Sequence, residues 1–107
     1  MGMTADLTPD QALARLGELS SAVRDAVVLD AAGNLLAGSE ELGRNAAAFL
    51  RATEAAAIEV ADERGAVYAV RSGEHAIVAL AARPALAALM FYDLRAVLAQ
   101  LGERPAA

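Results

Sequence analysis

Residues 58–101 read IEVADERGAVYAVRSGEHAIVALAARPALAALMFYDLRAVLAQL. The stretch predicts three short strands, 58–62, 66–71 and 75–82, followed by one long helix, 84–101. The turns between strands are Glu63-Arg64-Gly65 and Ser72-Gly73-Glu74, where glycine supplies the conformational freedom that tight turns need. In the first strand Ile58, Val60 and Asp62 alternate with Glu59, Ala61 and Glu63, and such half-polar alternation suits a sheet edge. The next two strands are more apolar, as interior strands should be. The helix opens with Pro84 at its first position and carries Leu86, Leu89, Met90, Leu94, Val97, Leu98 and Leu101. It stops at Gly102, with Pro105 beyond. Nothing in the stretch has the make-up of a catalytic constellation.

Working outward, Thr8-Pro9-Asp10-Gln11 spells a capping box with proline at the first helical position, so a helix is expected from 9 to about 20. Ala12, Leu13, Leu16 and Leu19 fall on one side of it, and Gly17 offers a close approach to a sheet. A strand follows at 24–29, a turn at 30–34 with Gly33 suited to positive φ, and a second strand at 35–38. A second helix starts at Ser39, with Asn45 as the alternative cap. Its expected face is Leu42, Ala46, Phe49, Leu50, Thr53 and Ala57. No glycine or proline marks its end, which is placed near 55–57. The order α-β-β-α-β-β-β-α, with short turns between neighbouring strands, predicts antiparallel pairs in a three-layer α/β sandwich.

Bulk composition narrows the function. The chain has 107 residues, one domain's worth, with an ordered core expected over about 8–102. All nine basic residues are arginine, and the alanine content points to GC-rich coding. A net charge of −5 argues against nucleic acid or an anionic membrane as the main partner. Cysteine is absent, which excludes disulfides and thiolate metal sites. Residues 1–10 lack the basic and apolar regions of a signal peptide, so the chain is expected in the cytoplasm. Residues 75–92 carry only Arg83 as a charge, but Arg83-Pro84 breaks the run where a spanning helix needs about 20 uninterrupted residues, so no membrane insertion is expected.

Individual side chains give little chemistry. His75 is the single histidine and has no companion ligands at metal-binding spacing. Glu40-Glu41 reads as a helix N-terminal pair favoured by the macrodipole. Ser20, Ser21 and Ser72 lack an activating partner in a recognisable motif, and the glycines form no phosphate loop. No cofactor, metal or enzymatic activity is expected. Arg44 and Arg51, seven residues apart, project from nearly the same side of the second helix. They read either as partner contacts, together with Glu54, or as solvated arginines paired with Glu40, Glu41 or Glu54.

Three segments carry a resemblance. Asp25-Ala26-Val27-Val28-Leu29-Asp30-Ala31-Ala32-Gly33-Asn34-Leu35-Leu36-Ala37 is similar to the first hairpin of the roadblock/LC7 family. Glu63-Arg64-Gly65 followed by two strands is a second match, and Met90-Phe91-Tyr92-Asp93-Leu94-Arg95 resembles the family's last helix. The resemblance covers about 13–101. It implies a five-stranded antiparallel sheet with the second helix on one face and the first and third on the other. It also implies a homodimer in which the third strand pairs with its own copy beside the second helix, placing Phe49, Ile58, Glu59, Val60, Ala61, Asp62 and Arg64 at the interface. Bacterial members are commonly linked to small Ras-like GTPases, so a non-enzymatic regulator or adaptor for such a GTPase is the leading expectation. Arg44, Arg51 and Glu54 are its candidate contacts.

A dimerisation scaffold without a GTPase is one alternative. A small-molecule sensor is another, with room left by Ala66, Ala69, Ala79 and Ala88.

The acids of the third strand restrict self-pairing. In an antiparallel self-pair, opposite residue numbers have a constant sum. A sum of 121 sets Glu59 against Asp62 and 122 sets it against Glu63, both unfavourable like-charge pairs. A sum of 123 sets Glu59 against Arg64. Neutralisation by arginines from the second helix, or a different roadblock-type partner chain, are the other solutions.

Overall fold

The computed structural model describes residues 7–63, 65–82 and 86–101. Along the chain it contains α1 (Pro9–Leu19), β1 (Val23–Asp30), β2 (Leu35–Ala37), α2 (Glu40–Arg51), β3 (Ala57–Asp62), β4 (Gly65–Ser72), β5 (His75–Ala81) and α3 (Ala87–Gln100). The sheet order is β2-β1-β5-β4-β3, with every neighbouring pair antiparallel. β3 therefore lies at an edge, as its alternation predicts, and β4 and β5 lie inside.

The expected capping box forms at α1. Thr8 Oγ1 accepts from the Gln11 N–H at 3.2 Å, and Gln11 Oε1 accepts from the Thr8 N–H at 3.0 Å. Ala12 and Leu16 are buried, while Leu19 is largely exposed. Gly17 differs from expectation. A Cβ there would meet nothing within 4 Å, so it mediates no close approach. That role belongs to Gly43 of α2, where a Cβ would come within 2.9 Å of Leu35 Cδ1.

Ser39, not Asn45, caps α2. Its hydroxyl accepts from the Leu42 N–H at 3.4 Å and donates to Asp25 Oδ2 at 3.3 Å, tying the helix start to β1. The buried face is Gly43, Ala46, Ala47 and Leu50. The helix ends at Arg51, so Thr53, Glu54 and Ala57 lie beyond it rather than on it. At and just past this end the guanidinium of Arg71 of β4 reaches the carbonyls of Leu50, Thr53 and Ala55 and gives them partners outside the helical ladder.

α3 also starts later than the proline implies. Leu86, with ψ 111°, is still extended and supplies no side-chain cap. Pro84, Gly102 and Pro105 lie outside the described residues. Leu86 and Leu89, expected on the apolar face, are 67% and 61% exposed; the buried stripe is Met90, Leu94, Val97 and Leu98.

Two cores result, one on each sheet face. Ala26, Val28, Tyr68, Val70, Ile77 and Ala79 meet α1 and α3. Val27, Leu29, Ala69, Ala76 and Val78 meet α2. This is the three-layer arrangement, with α2 alone on its side. Tyr68 is fully buried and packs edge-on against Phe91 with centroids 5.8 Å apart. Ala66 and Ala79 are buried in one core and Ala69 in the other, while Ala88 is exposed, so these alanines do not open one shared cavity.

Candidate protein-interaction surface

Among the described residues no further strand pairs with the outer edge of β3. The Arg71 N–H donates to the Ala56 carbonyl at 2.9 Å, which makes that pair a hydrogen-bonded one. β3 and β4 then run in register without a shift, Ile58 opposite Ala69, Val60 opposite Val67 and Asp62 opposite Gly65. Antiparallel pairs alternate between bonded and non-bonded kinds. Ile58, Val60 and Asp62 therefore spend their N–H and C=O groups on β4. Ala57, Glu59 and Ala61 point theirs away from the sheet.

Side chains divide the same way. Ile58 packs with the α2-side core and Ala57 with the α1/α3-side core. By alternation Val60 and Asp62 share the α2 face, while Glu59 and Ala61 share the opposite one. α2 makes its main contacts with β1 and β2, and its core reaches Ala69 and Ile58 but not the end of the sheet at Val60. Val60 is 51% exposed there and Leu80 36%, with half-buried Val67 between them. The register aligns Leu80, Val67 and Val60 as one apolar row running to the free edge.

A second feature lies on α2. Gly33, Asn34, Leu35, Glu40, Gly43, Arg44, Ala47 and Arg51 line an open groove of about 650 Å³ between the helix and the β1–β2 turn. Asp30 builds the turn: its carboxylate accepts from the N–H groups of Ala32 at 3.0 Å and Asn34 at 2.8 Å, and from the Asn34 amide at 3.1 Å. Bonds from the Asn34 backbone and then the Asn34 side chain hold its pKa below the ordinary 3.8. Gly33 completes the turn at φ 92° and faces Arg51, whose Nη1 would lie 3.7 Å from an added Cβ. Among the described residues Arg44 and Arg51 form no salt bridge; the ion pair present joins Arg15 and Glu18 at 3.7 Å.

The predicted interface residues are thus not one patch. Phe49 and Ile58 are half-buried and both pack against the α2-side core, and Val60 and Asp62 continue that face along β3. Glu59 and Ala61 lie behind. Arg64 lies outside the described residues. Arg44 and Arg51 do share one groove, but Glu54 sits in the connection after α2, apart from it.

Sequence reasoning missed Val67 and Leu80 as members of the exposed row, and Arg71 as the anchor of α2. The signal for Arg71 was strand alternation: it follows Val67 and Ala69 on the face that carries the helix. It also missed that Leu86, Leu89 and Tyr92 are exposed on α3.

A further cavity of about 620 Å³ lies at the β4–β5 turn and the end of α3, lined in part by Ser72, His75, Arg95 and Leu98. Among the described residues no group of three or more His, Cys, Asp or Glu side chains could hold a metal ion. No described helix is long and apolar enough to cross a membrane.

No protein-family model matches the chain, and no curated protein does. Solved structures do. A roadblock/LC7 domain from Streptomyces avermitilis superposes with a TM-score of 0.73 at 20% identity, covering 86% of this chain and 96% of that one. MglB in a tetrameric arrangement superposes at 0.67 with 16% identity, covering 91% of each chain. The gliding protein MglB from Thermus thermophilus gives 0.66 at 18% identity, covering 91% of this chain and 92% of that one. The chain has the roadblock/LC7 fold.

Proposed function

We propose that this chain is a non-enzymatic, homodimeric regulator or adaptor that binds a small Ras-like GTPase in a bacterial signalling or polarity system in the cytoplasm. The observation that carries the proposal is the free, partly apolar β3 edge, on the same sheet face as a helix whose two arginines form no ion pair among the described residues. An exposed edge with apolar side chains beside its main-chain donors and acceptors is a template for pairing with another chain. The roadblock/LC7 fold supports the reading, because the family resemblance implies pairing through β3 and α2 and a GTPase partner. The tetrameric arrangement of the neighbour MglB supports self-association. The Arg44–Arg51 groove supplies positive charge for an acidic partner surface in a chain that is acidic overall.

The test is co-purification of the full chain with the Ras-like GTPase encoded nearest to it, loaded with GDP or with a non-hydrolysable GTP analogue. Binding that depends on the nucleotide supports the proposal. Absence of binding in both states contradicts it and leaves a dimerisation scaffold.

A further inference from the structure

We infer that β3 pairs with β3 of a second copy in one register, the one in which Val60 faces Val60. The inference rests on the self-pairing proposed above and goes beyond it by naming the contact.

Hydrogen bonding removes half of the registers. Residues opposite each other in a regular antiparallel pair are both bonded or both non-bonded. On the free edge of β3 the odd-numbered residues Ala57, Glu59 and Ala61 offer backbone groups, and Ile58, Val60 and Asp62 do not. Opposite residues must therefore have the same parity, and the sum of their numbers must be even. This excludes the sum of 121. It also excludes 123, the register expected to set Glu59 against Arg64, because it would set Ala61, whose backbone faces outward, against Asp62, whose backbone faces β4. The salt bridge expected from sequence has no place in a bulge-free pair.

Charge removes three of the remaining registers. A sum of 118 puts Glu59 directly against Glu59 of the second copy, 122 puts Glu59 against Glu63, and 124 puts Asp62 against Asp62. Like charges directly opposite are unfavourable. A sum of 116 keeps only residues 57–59 of the strand in mutual register and leaves Ala61 and Asp62 beyond it. A sum of 120 keeps 58–62. It sets Glu59 against Ala61, which exchange both main-chain bonds, Ile58 against Asp62, and Val60 against itself.

Packing favours the same solution. Val60 is the exposed large apolar side chain of β3, and its self-pair is a non-bonded one, in which side chains approach most closely. The row Leu80–Val67–Val60 then continues through the two-fold axis into its own copy. Six aliphatic side chains form one uninterrupted stripe on the α2 face. A second copy matches this edge because the row that ends at Val60 is its own complement.

The chain lacks cysteine, so single-cysteine variants report the register directly. Ile58→Cys, Glu59→Cys, Val60→Cys and Ala61→Cys each self-cross-link in one register alone: 116, 118, 120 and 122. In the proposed register the Val60 positions lie about 4.5 Å apart between Cα atoms, within disulfide reach. The equivalents of Glu59 and Ala61 lie roughly 8 Å or more apart, out of reach. Each full-length variant is weighed in solution under reducing conditions, then oxidised and run on a non-reducing gel. A dimer that cross-links nearly completely at Val60 and hardly at the other three supports the inference. A dimer cross-linking best at another position overturns the register and keeps the self-pairing. A dimer that cross-links at none overturns pairing through β3. A reduced protein that is monomeric throughout overturns the underlying proposal.

Discussion

The guanidinium of Arg71, on β4, donates to the main-chain carbonyl of Leu50 in the last turn of α2 at 3.0 Å. The same side chain bonds the Ala55 carbonyl at 3.0 Å and the Thr53 carbonyl. One arginine thus holds the end of α2, shapes the connection to β3 and fixes where the free edge begins. Replacing it with alanine leaves these acceptors without their charged donor. Arg71→Ala is expected to lower stability by about 2 kcal/mol, read in a urea melt. Arg71→Lys should recover only part of the loss, because an ammonium cannot reproduce the planar fork.

Asp30 gives a pH dependence. Its carboxylate is held below its ordinary pKa by the Asn34 backbone, the Asn34 amide and the Ala32 backbone. A group depressed in the folded state binds its proton more readily when unfolded. Its contribution is therefore complete above the ordinary value near 3.8 and fades as pH falls through the lower folded value. Melting temperature should fall over this acid window. In Asp30→Asn that part of the slope should be missing.

Two glycines of opposite kind should respond oppositely. Gly17 sits in α1 facing open space and has no positive φ. Gly17→Ala should stabilise by about 0.5–1 kcal/mol, raising the melting temperature by a few degrees. Gly38, at φ 106°, would bring a Cβ to 2.5 Å from the Ala26 carbonyl oxygen. Gly38→Ala should destabilise by about 2 kcal/mol or more.

How much of this was legible in sequence follows from the range of the interactions. The α1 cap, the 30–34 turn and the edge character of β3 are local, and Thr8, Gln11, Asp30, Gly33 and the alternating acids spell them within a few residues. The sandwich follows from strand order and apolar content. The end of α2 was not legible, because the carbonyls around it are held by Arg71, which is distant in sequence and reads as an ordinary strand residue. The start of α3 lies beyond the one the sequence predicts, because proline marks where a helix can begin, not where it does. The resemblance groups Phe49 with the β3 residues as one interface, while the strand pleat splits the β3 residues between two faces. Only the backbone pairing with β4 shows which of them can bond a second chain.

The Arg44–Arg51 groove separates surface from scaffold. Both side chains are exposed, and reversing them should lower stability by only about 1 kcal/mol, from the cation lost in the last turn of α2 and the acid added near Glu40 and Glu41. The double variant Arg44→Glu, Arg51→Glu should bind the neighbouring GTPase about tenfold or more weakly, measured by calorimetry. Unchanged affinity would remove the groove from the binding surface.

Sedimentation equilibrium on the full-length protein tests the central claim, that this edge strand serves to take a second copy. At tens of micromolar the account predicts a mass twice that of the 11.0 kDa chain. A mass of 11.0 kDa that holds across the whole concentration range would contradict it.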